Sequence, residues 1–223
     1  MSNNVIILRK KDGILQQEYE IVQLPYIKRL IDERAISLVA DVDNSLLNIL
    51  EAIENHIKWY DRSYQETYSF SEGKVGKIGK EQTKDIYELF KEPRFFLSAN
   101  PTSILPQLNK EMYNKKLIVY TEEPLLECFI AKSVVISSYL PDVDNIIFMM
   151  YGERCKDYDL ASKDMVLKTL LSKSWIKLID DHPKAIEYAN QTGNLVMCPN
   201  FLYVKNTIKN LSKVGSNIKL FEP

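Results

Sequence analysis

Two apolar runs in this chain end in paired acids. The first, "ISLVADVDNS", closes on Asp41 and Asp43; the second, "WIKLIDDHP", closes on Asp180 and Asp181. A third run, "KLIVYTEE", ends on Thr121 followed by Glu122 and Glu123. In an extended segment residues i and i+2 point the same way, so Asp41 and Asp43 can face one small volume. Asp180 and Asp181 can share a volume when one ends the strand and the other lies in the turn. Carboxylates gathered without a cation repel strongly. Mg²⁺ relieves that repulsion, taking oxygen ligands in octahedral geometry while keeping several waters. The pattern therefore predicts a site that holds a metal ion and a nucleophile together. A plainer use competes for each pair, because an Asp after a strand often serves as a turn residue or a helix N-cap. Asp43 would then cap the helix that follows it, and Asp181 the helix after Pro183.

The elements that would position these residues alternate along the chain. "ISLVA" is a fully apolar strand bounded by charge, as a central parallel strand covered on both faces would be. Leu46, Leu47, Leu50, Ile53, Ile57 and Tyr60 then recur at helical spacing, predicting an amphipathic helix over 46–60. Helices are expected at 103–112, 125–140, 162–172 and 203–213, with another after Pro183 that Gly193 can cap. Strands are expected at "KLIVYTEE", "NIIFMMY", "WIKLIDDHP" and "NLVMCP", the last closing the series. Such alternation argues for an α/β fold around a parallel sheet, where function collects at the carboxyl ends of the strands. Before this core, "VIILRKKDGILQQEYEIV" reads as a β-hairpin turning at Lys11-Asp12-Gly13, followed after Pro25 by a short helix over 26–34. Residues 61–95 are polar and aromatic, include "EGKVGKIGKE", and read as an insertion with its own small fold. The units expected are thus 1–35 (hairpin and short helix), 36–60 with 96–223 (core) and 61–95 (insertion).

Composition removes several classes of function. The 223 residues carry a net charge of −1, with 45% hydrophobic and 26% charged residues. That balance offers no bulk electrostatic grip on long nucleic acid or acidic lipid. No apolar run approaches the roughly 18 residues of a membrane span. The stretch "MSNNVIILRKKDG" reaches a polar turn too early for a secretory signal. Cys128, Cys155 and Cys198 are unpaired in spacing and read as reduced thiols of a cytoplasmic protein. With two histidines and no cysteine cluster, zinc is not expected.

The same residues carry a resemblance. "DVDNS" resembles the D-x-D-x-[T/S/V] motif of the haloacid-dehalogenase-like phosphohydrolases, and "LIVYT" is similar to their second motif, a hydrophobic strand ending in Thr or Ser. "SKDMVLKTLLSKSWIKLIDDHP" resembles their third and fourth motifs, a helix-borne Lys followed by a strand ending in Asp-Asp. Within that superfamily, "EPRFFLSANPTSILPQLNKEMYNKKLIVYTEEP" resembles the 5'(3')-deoxyribonucleotidases. The likeness runs from about residue 36 to 200 and leaves the N-terminal hairpin outside. It implies a three-layer Rossmann-like core, with a small, mainly helical cap inserted after the first motif.

Carried over, the resemblance implies that Asp41 attacks phosphorus and becomes a transient aspartyl-phosphate. Asp43 would protonate the leaving oxygen and later deprotonate water. Mg²⁺ would be held by Asp41, the Asp43 main-chain carbonyl and Asp180, with Asp181 in the outer shell or as an alternate ligand. Thr121 and a lysine would bind the phosphoryl oxygens. Lys163 is preferred to Lys168, because a lysine at a helix start joins the amide groups there in facing an anion. Phe95 and Phe96 match the family's aromatic pair near base or sugar, although core packing also suits them. Ile49 stands where those nucleotidases tend to carry a stacking aromatic. Arg62, Lys74, Lys77 and Lys80 of the insertion could reach a nucleotide or belong to a basic loop. Glu122 and Glu123 depart from the pattern by adding negative charge beside an anion site. His182 departs too, standing where relatives carry an arginine or serine.

These readings converge on a Mg²⁺-dependent phosphomonoesterase acting on small (deoxy)nucleoside monophosphates. Two alternatives stay open: the same chemistry on another small phosphate ester or a nucleic-acid terminal phosphate, and a non-catalytic nucleotide- or partner-binding protein on this scaffold. The hairpin's exposed edge is expected either to extend the sheet or to make a subunit contact, including one in a homodimer.

Overall fold

The computed structural model describes residues 2–60, 70–71, 74–75, 88–211 and 217–223. The strands are β1 (Asn4–Lys11), β2 (Ile14–Leu15), β3 (Glu20–Gln23), β4 (Ile36–Asp41), β5 (Phe70–Ser71), β6 (Lys74–Val75), β7 (Lys116–Glu122), β8 (Asn145–Tyr151), β9 (Lys177–Ile179), β10 (Leu195–Pro199) and β11 (Ile218–Phe221). Nine of them form one sheet in the order β11-β10-β9-β4-β7-β8-β1-β2, with β3 pairing β1. From β11 to β8 every pairing is parallel. β1 joins antiparallel to β8, so the N-terminal hairpin extends the sheet. β5 and β6 form a separate antiparallel pair.

The helices are α1 (Leu24–Asp32), α2 (Ile49–Tyr60), α3 (Pro93–Leu97), α4 (Ile104–Glu111), α5 (Leu126–Tyr139), α6 (Lys163–Leu170), α7 (Pro183–Thr192) and α8 (Leu202–Asn210). Two apolar clusters cover the two sheet faces. One joins Leu38, Ala40, Val119 and Phe148 to residues of α2, α3, α4 and α5. The other joins Val39, Ile118, Tyr120 and Met149 to residues of α1, α6, α7 and α8. Alternation along β4 and β7 sends successive side chains into opposite layers. The result is a three-layer α/β fold.

Local chemistry moves some boundaries. The helix expected from residue 46 begins at Ile49, because the Val42 carbonyl accepts the amides of Ser45, Leu46 and Leu47 in a tight turn. Asn44 sits in that turn at φ 58. Asn44 Oδ1 accepts the Leu50 amide, and Asn48 Oδ1 accepts the Glu51 amide. These asparagines therefore satisfy the orphan donors of the first turn. Pro25 lies inside the first turn of α1, where its missing N–H costs nothing. β11 is absent from the sequence reading: its four residues, "IKLF", are too few to show a period. They pair parallel with β10 at the sheet edge. Of the insertion at 61–95, only the pieces noted above are described; Arg62, Lys77 and Lys80 lie outside the described residues.

Candidate active site

Strand order brings the acids together. β4 lies between β9 and β7, with Ala40 opposite Ile179 and Asp41 opposite Tyr120. Neighbouring strands are roughly 4.8 Å apart, so the first residues beyond β9 stand beside the end of β4. The carboxylate oxygens of Asp41, Asp180 and Asp181 offer one atom each, all within 4.8 Å of one another. The site also lies where the chain order reverses about β4, a topological switch point.

Fixed hydrogen bonds orient the cluster. Asp180 Oδ1 accepts the His182 amide at 2.6 Å, and Asp180 Oδ2 accepts the Tyr120 hydroxyl. Asn44 Nδ2 donates to Asp181 Oδ2 at 3.4 Å. Burial pushes the Tyr120 phenol well up, with Asp180 adding to the effect, so Tyr120 keeps its proton and stays a donor. Burial also pushes the Asp41 carboxyl well above its usual range; Asp180 raises it further and Lys163 pulls it back. Three all-oxygen donors, two of which raise the Asp41 pKa, match a small divalent cation, whose charge would act in the opposite sense. The residues present fit Mg²⁺.

The competing role as helix caps falls to other residues. The His182 imidazole caps α7, its Nδ1 accepting the Lys184 amide at 3.2 Å. Burial, then Lys163, lowers the His182 pKa, which keeps that nitrogen free to accept. At α2 the asparagines do the capping.

Lys163 opens α6, within the electrostatic reach of the cluster. Burial works against its charge, but Asp180, Asp41, Asp181 and Glu122 outweigh that and raise its pKa. Lys168, further along the same helix, is exposed.

Asp43 behaves differently from its neighbours. Its carboxylate is not in the acid cluster; Oδ1 lies 2.5 Å from Lys132 Nζ. Lys132 comes from α5, is 1% exposed, and also pairs with Glu123. The Thr121 hydroxyl donates to Glu123 Oε1 at 3.0 Å and lies 3.4 Å from Lys132 Nζ. Thr121 thus turns to the α5 side, with its hydroxyl proton engaged by Glu123. Both departing glutamates have a cation: Lys132 for Glu123, and Arg154, at 3.6 Å, for Glu122. Sequence reasoning missed Lys132. The available signal was a lone basic residue in the apolar run "LECFIAKSVVISSY", a pattern that solvated lysines rarely follow.

Phe95 and Phe96 are 6% and 0% exposed, with ring centroids 5.2 Å apart. Ile49 is 1% exposed. All three belong to the apolar layer under α5.

Comparison of the sequence with family models and with curated proteins finds no match. Solved structures do match. A haloacid dehalogenase-like family hydrolase from Streptococcus pneumoniae aligns over 85% of this chain and 96% of its own, at 14% identity and a TM-score of 0.53. A candidate phosphatase from Clostridium difficile aligns over 84% and 95%, at 15% identity and a TM-score of 0.49. At such identities the likeness is one of fold. The chain shares the three-layer α/β fold of the Streptococcus pneumoniae protein.

Proposed function

We propose that this chain is a Mg²⁺-dependent phosphomonoesterase that dephosphorylates small (deoxy)nucleoside monophosphates through an aspartyl-phosphate on Asp41. The observation that supports it best is the convergence of Asp41, Asp180 and Asp181, distant in sequence, within 4.8 Å, with Lys163 in their field. In the first step an Asp41 oxygen bonds to phosphorus, the ester P–O bond breaks, and the leaving oxygen takes a proton from Asp43. In the second, water bonds to phosphorus and gives a proton to Asp43 as the Asp41–phosphorus bond breaks. Lys163 would meet the charge on the phosphoryl oxygens. Mg²⁺, held by Asp41, Asp180 and the Asp43 carbonyl with Asp181 beside them, would offset repulsion between carboxylate and phosphate. Tyr120 and the His182 amide hold Asp180 in register for that task.

Burial of Phe95, Phe96 and Ile49 favours a second substrate class, because none offers an open ring for a nucleobase. The chemistry would then act on another small phosphate ester. Phosphate release from a panel of nucleoside monophosphates and sugar phosphates, with and without EDTA, tests both. Release from nucleotides that requires Mg²⁺ is the expected result. Release confined to sugar phosphates transfers the reading to the second class, and no release from any ester defeats both.

A further inference from the structure

The ammonium of Lys132 has three N–H donors, and three acceptors surround it: Asp43 Oδ1, Glu123 Oε1 and Thr121 Oγ1. The Phe96 ring closes the remaining side, its centroid 4.4 Å from Nζ. Burial pulls the Lys132 pKa down, but Asp43 and Glu123 outweigh it and hold it up at about 12. The lysine is therefore charged and saturated, with no donor left for a substrate. That separates it from Lys163, which faces the acid cluster from the other layer.

A buried ion pair is a costly way to hold a fold together, since apolar residues of similar volume often do as well or better. Here the cost is visible, because Glu123 Oε2 is buried with no hydrogen-bond partner. The pair has a specific beneficiary. The Asp43 side chain is 31% exposed, with Lys132 fixed behind it at 2.5 Å. Asp43 thus keeps an accessible carboxylate whose direction is set from the protein side.

We propose that Lys132, backed by Glu123, is a positioning residue that holds the Asp43 carboxylate in the orientation for proton transfer. The role rests on the phosphomonoesterase reading. Glu123, the first residue beyond β7, pairs with Lys132 inside the apolar layer, and α5 carries the lysine.

Two measurements test it. A double-mutant cycle of Lys132→Met and Asp43→Asn in urea unfolding needs no activity. The unfolding constant of the double variant should fall short of the product of the single effects by about tenfold; additivity overturns the proposal. Kinetics of Lys132→Met then follow on p-nitrophenyl phosphate and on an alkyl phosphate. The nitrophenolate leaving group needs no proton, whereas the water step still needs Asp43. The variant should release a burst of about one nitrophenolate per active site and then turn over slowly. On the alkyl ester kcat should fall by about a hundredfold with KM nearly unchanged. Lys132→Arg, which keeps the charge if the methionine variant fails to fold, should recover part of both rates. Equal losses on both esters without a burst reduce Lys132 to a structural pair and overturn the proposal. If the wild-type protein hydrolyses neither ester, the phosphomonoesterase reading itself fails, an outcome distinct from a missing coupling in an active enzyme.

Discussion

The proposed mechanism requires Asp41 to be ionised, yet burial and Asp180 favour its protonated form. A cation at the cluster and Lys163 are what would return it to the carboxylate. Asp41→Asn should therefore lower phosphate release by at least about a thousandfold, read as single-turnover rates. Lys163→Met should lower kcat/KM by about a hundredfold, whereas Lys168→Met, on the exposed side of α6, should leave it within about twofold; the reverse ranking would sink the assignment. Glu123 supplies a pH signature. Burial pushes its carboxyl from 4.5 to about 7. Between those values the unfolded chain has released a proton that the folded chain keeps, so this residue's stabilisation is complete below 4.5 and lost as pH rises through about 7. The expected loss across the window is roughly 3 kcal/mol. Urea unfolding of wild type and Glu123→Gln at pH 5 and pH 8 measures it: wild type should lose more stability, and parallel changes would refute the assignment.

At the scale of elements, the loop after β8 is tightly specified. Gly152 has φ 102, and a Cβ there would fall 2.3 Å from Glu122 Cγ. The chain reverses here so that the Gly152 amide reaches the Ala161 carbonyl, just before α6 presents Lys163. Gly152→Ala combines a disfavoured backbone region with a clash, and should destabilise by about 1–3 kcal/mol in urea unfolding. It should also displace Glu122 from Arg154. An unchanged midpoint would mean that the loop adjusts freely. The caps follow the same logic of supply: Asn44, Asn48 and His182 take the helix amides, which releases Asp43 and Asp181 for other work. Among the described residues no helix is long and apolar enough to cross a membrane.

For the whole molecule, the acid cluster is a local cost that ligand binding would repay. Anything that binds the folded chain alone stabilises it by RT ln(1 + [L]/Kd), about 2.7 kcal/mol at one hundred times Kd. Mg²⁺ should therefore raise the thermal midpoint of wild type, EDTA should reverse the rise, and Asp180→Asn should abolish it. A midpoint indifferent to Mg²⁺ would argue against a metal centre without reference to any substrate. The sheet transmits such a gain broadly, because β4 and β9 lie at its middle and pair with both halves.

By itself the sequence determined the α/β alternation and the strand-end acids, because apolar runs, helical periods and turn residues are short-range signals. It also predicted the N-terminal hairpin and the C-cap at Gly193. Only the tertiary structure decided which strand ends are neighbours. The order β9-β4-β7 makes one cluster of Asp41, Asp180 and Asp181, and no local pattern encodes that order. Tertiary structure alone likewise paired Lys132 with Asp43 across 89 residues and seated Phe95 and Phe96 beneath α5. Burial is a property of the packed layers: a lysine in an apolar run is ambiguous until the chain supplies acids within reach, and those acids come from other strands.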